Sequence, residues 1–173
     1  MKNITKIFAI ALVALGFSAT SFAQTSATST SLASGTVLKA LTINNTTPLN
    51  FGTFGSTTSA KTVVLGLDDT RTASTATLYS IGAPAKTGVF ALEGTPSATF
   101  TVTLPTASVT TLTGPGGATM TILATSWNHD LGITPTMAAD GTQTLKVGAT
   151  LNVGAGQAAG TYSGNYDVTI AYN

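Results

Sequence analysis

The fold class is decided by the stretch Leu145-Lys146-Val147-Gly148-Ala149-Thr150-Leu151-Asn152-Val153, in which an apolar residue occupies every odd position. Successive side chains of a β-strand point to opposite faces of a sheet, so strict alternation predicts a strand with one packed face. A second alternating stretch covers residues 162–172, and the Gly-rich segment 154–160 between them has the composition of a turn. We therefore expect the two stretches to form neighbouring strands of one sandwich.

The same period of two recurs along most of the chain, between clusters of Gly, Pro and Asp. Clear strand candidates are residues 98–104, which Pro105 ends, and 118–124, and the weaker candidates are residues 37–43, 49–54, 61–67, 76–81 and 88–92. No stretch has a convincing helical period. A chain with roughly eight to ten short strands is expected to be all-β, as an antiparallel sandwich or barrel, with an immunoglobulin-like β-sandwich as the first choice.

The N-terminus has the pattern of a secretory signal peptide. Lys2 and Lys6 flank the start of an uncharged apolar run at residues 7–17, and Ser21-Phe22-Ala23 places small residues where a signal peptidase reads. The run is about half of the ~20 residues that span a bilayer, so a membrane anchor is disfavoured. We predict cleavage after Ala23 and an exported protein, in the periplasm, at the cell surface or outside the cell.

Three regions follow from this division. Residues 1–23 are the predicted signal peptide, residues 24–35 a flexible Ser/Thr-rich segment that can bury little apolar area, and residues 36–173 a single β-sandwich domain. We expect no membrane span once the signal is removed. The predicted mature chain has about the length at which a domain buries 68–70% of its unfolded surface, so it needs no disulfide staples.

The composition excludes several classes of function. The chain has no Cys, which removes disulfides, thiol catalysis and thiolate metal sites. Loss of Lys2 and Lys6 with the signal leaves five of the seven basic residues against six acidic ones. Without a basic patch, nucleic acid is not an expected partner.

The residues that could support catalysis are sparse and poorly arranged. His129 is the only histidine, and the adjacent Asp130 would point to the opposite side if the pair lay in a strand. The six acidic residues are spread thinly, and no nucleophile elbow or phosphate loop is present. We therefore expect no enzyme and no cofactor, and we predict that residues 126–130 form a loop.

Three residues are weak candidates for a ligand site. Trp127 could offer an exposed aromatic platform to a sugar, although an ordinary half-buried Trp at a strand end is the favoured interpretation. Asp68 and Asp69 could contribute to a calcium site, but a hard cation needs six or more oxygen ligands and the surrounding spacing is not that of a calcium loop. A turn is the simpler interpretation of these two acids.

Several segments together resemble a family of secreted bacterial proteins catalogued as domain of unknown function 4402. The segments that carry this resemblance span most of the predicted mature chain and are residues 47–54, Arg71, residues 100–105, residues 116–122 and residues 140–173. The last is the most specific. The resemblance implies an exported domain and no established activity.

The C-terminus is also similar to that of fimbrial subunits of Gram-negative bacteria, which implies a pilin-like sandwich. Tyr172 is the penultimate residue and Gly160 is fourteenth from the end. In those subunits such a combination marks a last strand with which a periplasmic chaperone pairs. The residues of this chain that match or adjoin the pattern are Gly160, Tyr162, Tyr166, Val168, Ile170 and Tyr172. The chain departs from the common type of subunit in lacking its disulfide.

Two functions remain open at this point. The first is a structural or adhesive subunit, as in a pilus, which assembles with itself or with other β-sandwich subunits by β-strand addition. Its donor strand would lie within residues 24–35 or 37–43, with Val37, Leu41 and Ile43 as anchors. The alternative is a self-contained extracellular module that binds carbohydrate through loops near Trp127 or Asp68.

Overall fold

The computed structural model describes residues 26–74, 78–79 and 82–173. Contacts within the chain divide it into two units, residues 1–36 and 37–173. In the first unit, residues 26–36 have no regular secondary structure and are exposed to solvent. The predicted signal peptide, residues 1–23, lies outside the described residues. No helix in the described part of the chain is long and apolar enough to cross a membrane.

The second unit is built from β-strands. Over the described residues it contains no α-helix and one 3-10 turn, Pro115–Gly117. The eleven strands of its described part are β1 (Thr42–Thr47), β2 (Thr53–Phe54), β3 (Lys61–Leu65), β4 (Arg71–Ala73), β5 (Leu78–Tyr79), β6 (Gly88–Glu93), β7 (Phe100–Thr103), β8 (Val109–Thr113), β9 (Thr119–His129), β10 (Thr142–Val153) and β11 (Thr169–Tyr172). The prediction of an all-β, antiparallel protein is confirmed.

Strand β10 is the centre of a curled, seven-stranded antiparallel sheet. Along one edge its first half pairs with β6 and its second half, from Ala149, pairs with β3. Its other edge pairs with β9. Strands β1, β4 and β8 extend the sheet by pairing with β6, β3 and β9 respectively. Because one edge of β10 serves two successive neighbours, the sheet bends around that strand.

The alternating residues of β10 form the middle of the core, as the sequence predicts. Leu145, Val147, Ala149, Leu151 and Val153 are each at most 2% exposed. The core is completed by fully buried side chains from other strands and from the segment before β10. These include Val63, Leu65, Leu92, Phe100, Ile122 and Met137.

The last strand does not lie beside β10, so the prediction of neighbouring strands is wrong. Strand β11 pairs with β7, with Tyr172 opposite Phe100, in a separate two-stranded sheet. Residues 164–168 are irregular, and Ser163 makes a single bridge to Thr113 at the end of β8. Alternation reports that one face of a strand is buried, but it does not say which strand lies alongside.

The predicted loop at residues 126–130 is strand β9 as far as His129, which is a second correction. The burial phase of β9 changes along its length: Met120 and Ile122 are buried at even positions, whereas Trp127 is buried at an odd one. A register shift in the pairing with β10 separates the two halves. Between Ala149 and Leu151 the strand β10 advances two residues while β9 advances five, from Trp127 to Ile122, so β9 carries three extra residues. An odd number of extra residues reverses the period of two, which hides the second half of the strand from sequence analysis.

We expect Leu145→Ala to lower the free energy of unfolding by about 2–5 kcal/mol, because truncation of a fully buried Leu leaves a cavity in a close-packed core. The measurement is urea unfolding of the chain from Gln24 onwards. The matched control, Ile133→Ala, removes similar atoms from a side chain that is 98% exposed and should change the free energy by less than about 0.5 kcal/mol. Equal effects of the two substitutions would contradict the placement of Leu145.

Candidate functional site

An open apolar groove leads from the surface of the second unit to its core. Its volume is about 610 Å³. Its two walls are residues 49–56 and residues 157–162, and its floor is made by four apolar side chains of β8, β9 and β10: Leu112, Met120, Leu151 and Val153. We call this feature the core groove. Three of its floor residues are at most 5% exposed, so the groove reaches the depth of the hydrophobic core.

The first wall, residues 49–56, is held in place by Arg71. The guanidinium Nη1 donates hydrogen bonds to the carbonyl oxygens of Phe51, at 2.8 Å, and Thr53, at 2.7 Å. Gly52 lies between them with a positive φ of 67°, and a Cβ there would lie 2.7 Å from Nη1. Gly52 therefore serves both the backbone turn and the close approach of the arginine.

Lys61 holds the end of the same wall. Its side chain is 4% exposed, its Nζ donates a hydrogen bond to the carbonyl oxygen of Gly55, and it lies 5.7 Å from the centroid of the Phe54 ring. Burial lowers the pKa of this lysine below its ordinary value. Since a buried ammonium group needs a partner, its bond to Gly55 fixes the wall at that point.

The second wall, residues 157–162, is fastened by Tyr162. The phenol oxygen accepts a hydrogen bond from Gln157 Nε2 at 2.7 Å and donates one to the carbonyl oxygen of Ala158 at 2.8 Å. The ring lies directly on Gly114, where a Cβ would approach it to 2.5 Å. Gly160, with a φ of 147°, packs against Pro115. The wall is thus an irregular segment fixed to the turn before β9.

The residues predicted to mark the assembly strand fall into two groups. Gly160 and Tyr162 line the core groove. The other four, which are half-buried and pack on the core from the segment that ends in β11, are Tyr166, Val168, Ile170 and Tyr172. Within the described ranges, β11 has a strand along one edge only, its partner β7.

Tyr172 also connects the C-terminus to the start of the second unit. Its hydroxyl accepts a hydrogen bond from the backbone N–H of Thr95 at 2.6 Å and donates one to the carbonyl oxygen of Lys39 at 2.7 Å. The backbone N–H of Lys39 donates to Thr95 Oγ1 at 2.7 Å, and its Nζ is 3.0 Å from Glu93 Oε2. Lys39 is therefore the point at which the N-terminal chain is fastened to the domain.

The three residues predicted as donor-strand anchors differ in their surroundings. Val37 is 96% exposed and lies in no strand. Leu41 and Ile43 are half-buried against the core, and Ile43 pairs with Leu92 in the main sheet. Leu41 and Ile43 are thus engaged within their own domain, whereas Val37 is accessible to another molecule.

Trp127 lies inside β9 with its side chain in the core, 8% exposed. Its ring is 4.7 Å from that of Tyr166, centroid to centroid, and burial raises the pKa of Tyr166 to about 12. Trp127 Nε1, Tyr166 Oη and His129 Nδ1 are buried without a hydrogen-bond partner. The indole consequently offers no exposed face on which a sugar could stack.

Asp68 and Asp69 lie in the turn between β3 and β4 and use their carboxylates locally. Asp69 accepts hydrogen bonds from Lys86 Nζ at 2.6 Å and from the backbone N–H of Thr87 at 2.8 Å. The bond from Lys86 is the largest cause that lowers the pKa of Asp69 to about 2. Hydrogen bonds from Thr70 lower the pKa of Asp68. Across the described residues, no group of three or more acidic or His side chains is placed to hold a metal ion.

We expect Asp69→Asn to weaken the acid sensitivity of the fold. Because the pKa of Asp69 is lower in the folded chain than its ordinary value of 3.8, its contribution to stability is present above about pH 4 and lost as the pH falls towards about 2. Urea midpoints measured between pH 5 and pH 2 should fall less steeply in the variant than in the wild type.

A second variant separates the causes of this effect. Lys86→Met removes the ion pair but leaves the bonds from Thr87, so its acid sensitivity should lie between those of the wild type and Asp69→Asn. Parallel curves for all three proteins would contradict the role given to this carboxylate.

The comparisons with known proteins give a family but no activity. The model of the family described as "Domain of unknown function (DUF4402)" matches residues 41–172, which covers every strand of the second unit. No curated protein is significantly similar to the chain. No solved structure is significantly similar to it either. The match extends over most of the sequence, and the chain therefore belongs to the DUF4402 family.

Proposed function

We propose that this protein is a non-enzymatic, exported structural or adhesive subunit that assembles by β-strand addition, and that the core groove receives the added strand. The observation that carries this proposal is the depth of the groove. Side chains of Met120, Leu151 and Val153, which belong to the hydrophobic core, form its floor. An apolar opening of this kind on an extracellular protein is typical of a surface that another chain covers.

The walls of the groove favour an extended occupant. Of residues 49–56 only Thr53–Phe54 is a strand, and residues 157–162 lie outside all of the described strands. An incoming strand could place alternate side chains on the apolar floor and pair its backbone with the second wall, residues 157–162. Burial of one Leu side chain contributes about 1.5–3 kcal/mol, so apolar anchors on the floor would supply one part of the binding free energy and backbone hydrogen bonds to a wall another.

The packing of the seven-stranded sheet and the β11–β7 pair on one core supports a sandwich with an incomplete second layer. The curled seven-stranded sheet supplies one side of the core through β10, and the β11–β7 pair covers another part through Phe100, which is fully buried. We infer an immunoglobulin-like arrangement in which the core groove is the uncovered part of the second layer. A supplied strand would complete that layer.

The similarity of the C-terminus to fimbrial subunits adds independent support. Gly160 and Tyr162 lie in a wall of the groove, and Tyr172 ends β11, whose second edge has no strand beside it within the described residues. A periplasmic chaperone that pairs with this edge is the partner expected before assembly. The predicted signal peptide agrees with an exported subunit.

The carbohydrate-binding alternative has less support. It depended on exposed side chains near Trp127 or on the carboxylate of Asp68. The indole is packed in the core, and Asp68 Oδ1 accepts hydrogen bonds from the backbone and side chain of Thr70 within its own turn. No observation on the described surface favours a sugar at either position.

Filling the groove tests the proposal. We expect the wild type to form a ladder of oligomers on unboiled gels and in light scattering, and Ala159→Trp to abolish that ladder, because the indole occupies the place of the strand. Ala159 is exposed, so the substitution need not disturb folding. The matched control is Ala155→Trp, at an exposed residue of the same connection that does not line the groove. A ladder of the same length from both variants would refute strand addition at this groove.

A further inference from the structure

We infer that the strand received by the core groove is residues 32–38 of a second copy of this chain, with Leu32 and Leu38 as its apolar anchors. The inference rests on the proposed function, and it adds the identity of the occupant. It makes the partner another molecule of the same protein, so that one kind of chain can extend into a polymer.

The first argument is the exposure of apolar side chains in this segment. Seven large hydrophobic side chains are exposed in the described part of the chain, and three of them fall between residues 32 and 38. Leu32 is 93% exposed, Val37 is 96% exposed and Leu38 is 49% exposed. A short segment that leaves three such residues in water has the composition of a strand awaiting a partner.

The second argument is the spacing of these residues. Leu32 and Leu38 are six positions apart, so in a strand they lie on one face about 20 Å from each other. The positions between them on that face are Ser34 and Thr36, which are small. Such a strand presents a narrow face with an apolar anchor at each end, which suits a groove with an apolar floor.

The third argument is charge. Residues 26–38 contain no charged side chain, and none of the residues that line the groove is charged. Insertion therefore needs no ion to leave water, which would otherwise oppose burial. The first charged residue of the segment is Lys39, and it is already engaged with Glu93.

The fourth argument is the point of attachment. Lys39 is fastened to the domain by hydrogen bonds to Thr95 and Tyr172, so the chain before it is the part that can leave. Residues 32–38 span at most roughly 25 Å when extended. Because Leu38 adjoins Lys39, insertion of this segment places the two domains in direct contact. Val37 and Leu38 do not line the groove of their own domain.

The experiment uses the full mature chain and three variants. The donor variant carries Leu32→Asp and Leu38→Asp, the groove variant carries Ala159→Trp, and the control carries Ile133→Asp, which places the same charge at a side chain that is 98% exposed. We expect the control to form ladders like the wild type and the donor variant to remain monomeric, with at least a tenfold weaker self-association. Hydrogen exchange should show residues 32–38 protected in the wild-type polymer and not in the donor variant.

Mixing the two monomeric variants gives the most specific result. The intact tail of the groove variant can enter the intact groove of the donor variant, and growth must stop there, so an equimolar mixture should give a one-to-one dimer. This dimer also demonstrates that both variants are folded.

Each other outcome identifies what is wrong. If the donor variant forms ladders while the groove variant does not, strand addition stands but another segment is the occupant. If both variants form ladders, or if the wild type is monomeric, strand addition at the groove fails together with this inference. If both are monomeric and no dimer forms on mixing, or if residues 32–38 are protected in a monomer, the pairing between two copies is refuted.

Discussion

The packed face of β10 is the interaction on which the rest of the structure depends. This strand has neighbours along both edges, and its five odd-numbered apolar residues lie in the centre of the core. Burial of apolar area is the dominant favourable term in folding, and no disulfide is available to assist it. The main sheet can curl because β6 and β3 follow each other along one edge of this strand. The curl brings β8 and β9 round to supply part of the groove floor.

The core groove lies where no described strand covers the packed face of β10. The segments beside the opening, residues 49–56 and 157–162, are not full strands. Side-chain hydrogen bonds hold both in place, and the first is also held by the short β2–β5 ladder and the bridge from Asn50 to Lys86. Arg71 and Lys61 bind carbonyl oxygens on one side, and Tyr162 binds its own segment on the other. A groove whose walls are fixed in advance loses little conformational entropy when it is filled, which favours tight association.

Much of the fold could be predicted from the sequence, because a half-buried strand records its environment as a period of two. Strands β3, β6, β7 and β10 lie within a few residues of their predicted positions. The second half of β9 was not predicted because a bulge before Trp127 changes the buried positions from even to odd. Strands β4 and β8 were missed, and β4 has only three residues, too few for a period to show. The partner of β11 was missed because periodicity carries no information about pairing.

The groove itself could not be predicted, since its lining comes from segments as distant as Leu49 and Tyr162. Gly160 and Tyr162 are predicted from the sequence as part of an assembly strand, but the structure places them in a wall of the groove. Arg71 is the only arginine of the chain, but nothing in its local sequence shows that it holds residues 51–53. Val37 is exposed and Ile43 is half-buried because β1 begins between them. The first residue of a strand is poorly predicted from sequence.

The hydroxyl of Tyr172 has a mechanical consequence. It accepts a hydrogen bond from the backbone of Thr95 and donates one to the backbone of Lys39. The phenol oxygen of the last strand therefore binds the residue at which the N-terminal segment begins to be held. In a filament of such subunits, tension drawn through the segment would enter the domain at Lys39. At Lys39 the force would be shared between β11 and the residues that follow β6. Strand β1 would therefore not be pulled away from the edge of the sheet. The hydroxyl of Tyr172 would thus distribute the mechanical load at every junction between subunits.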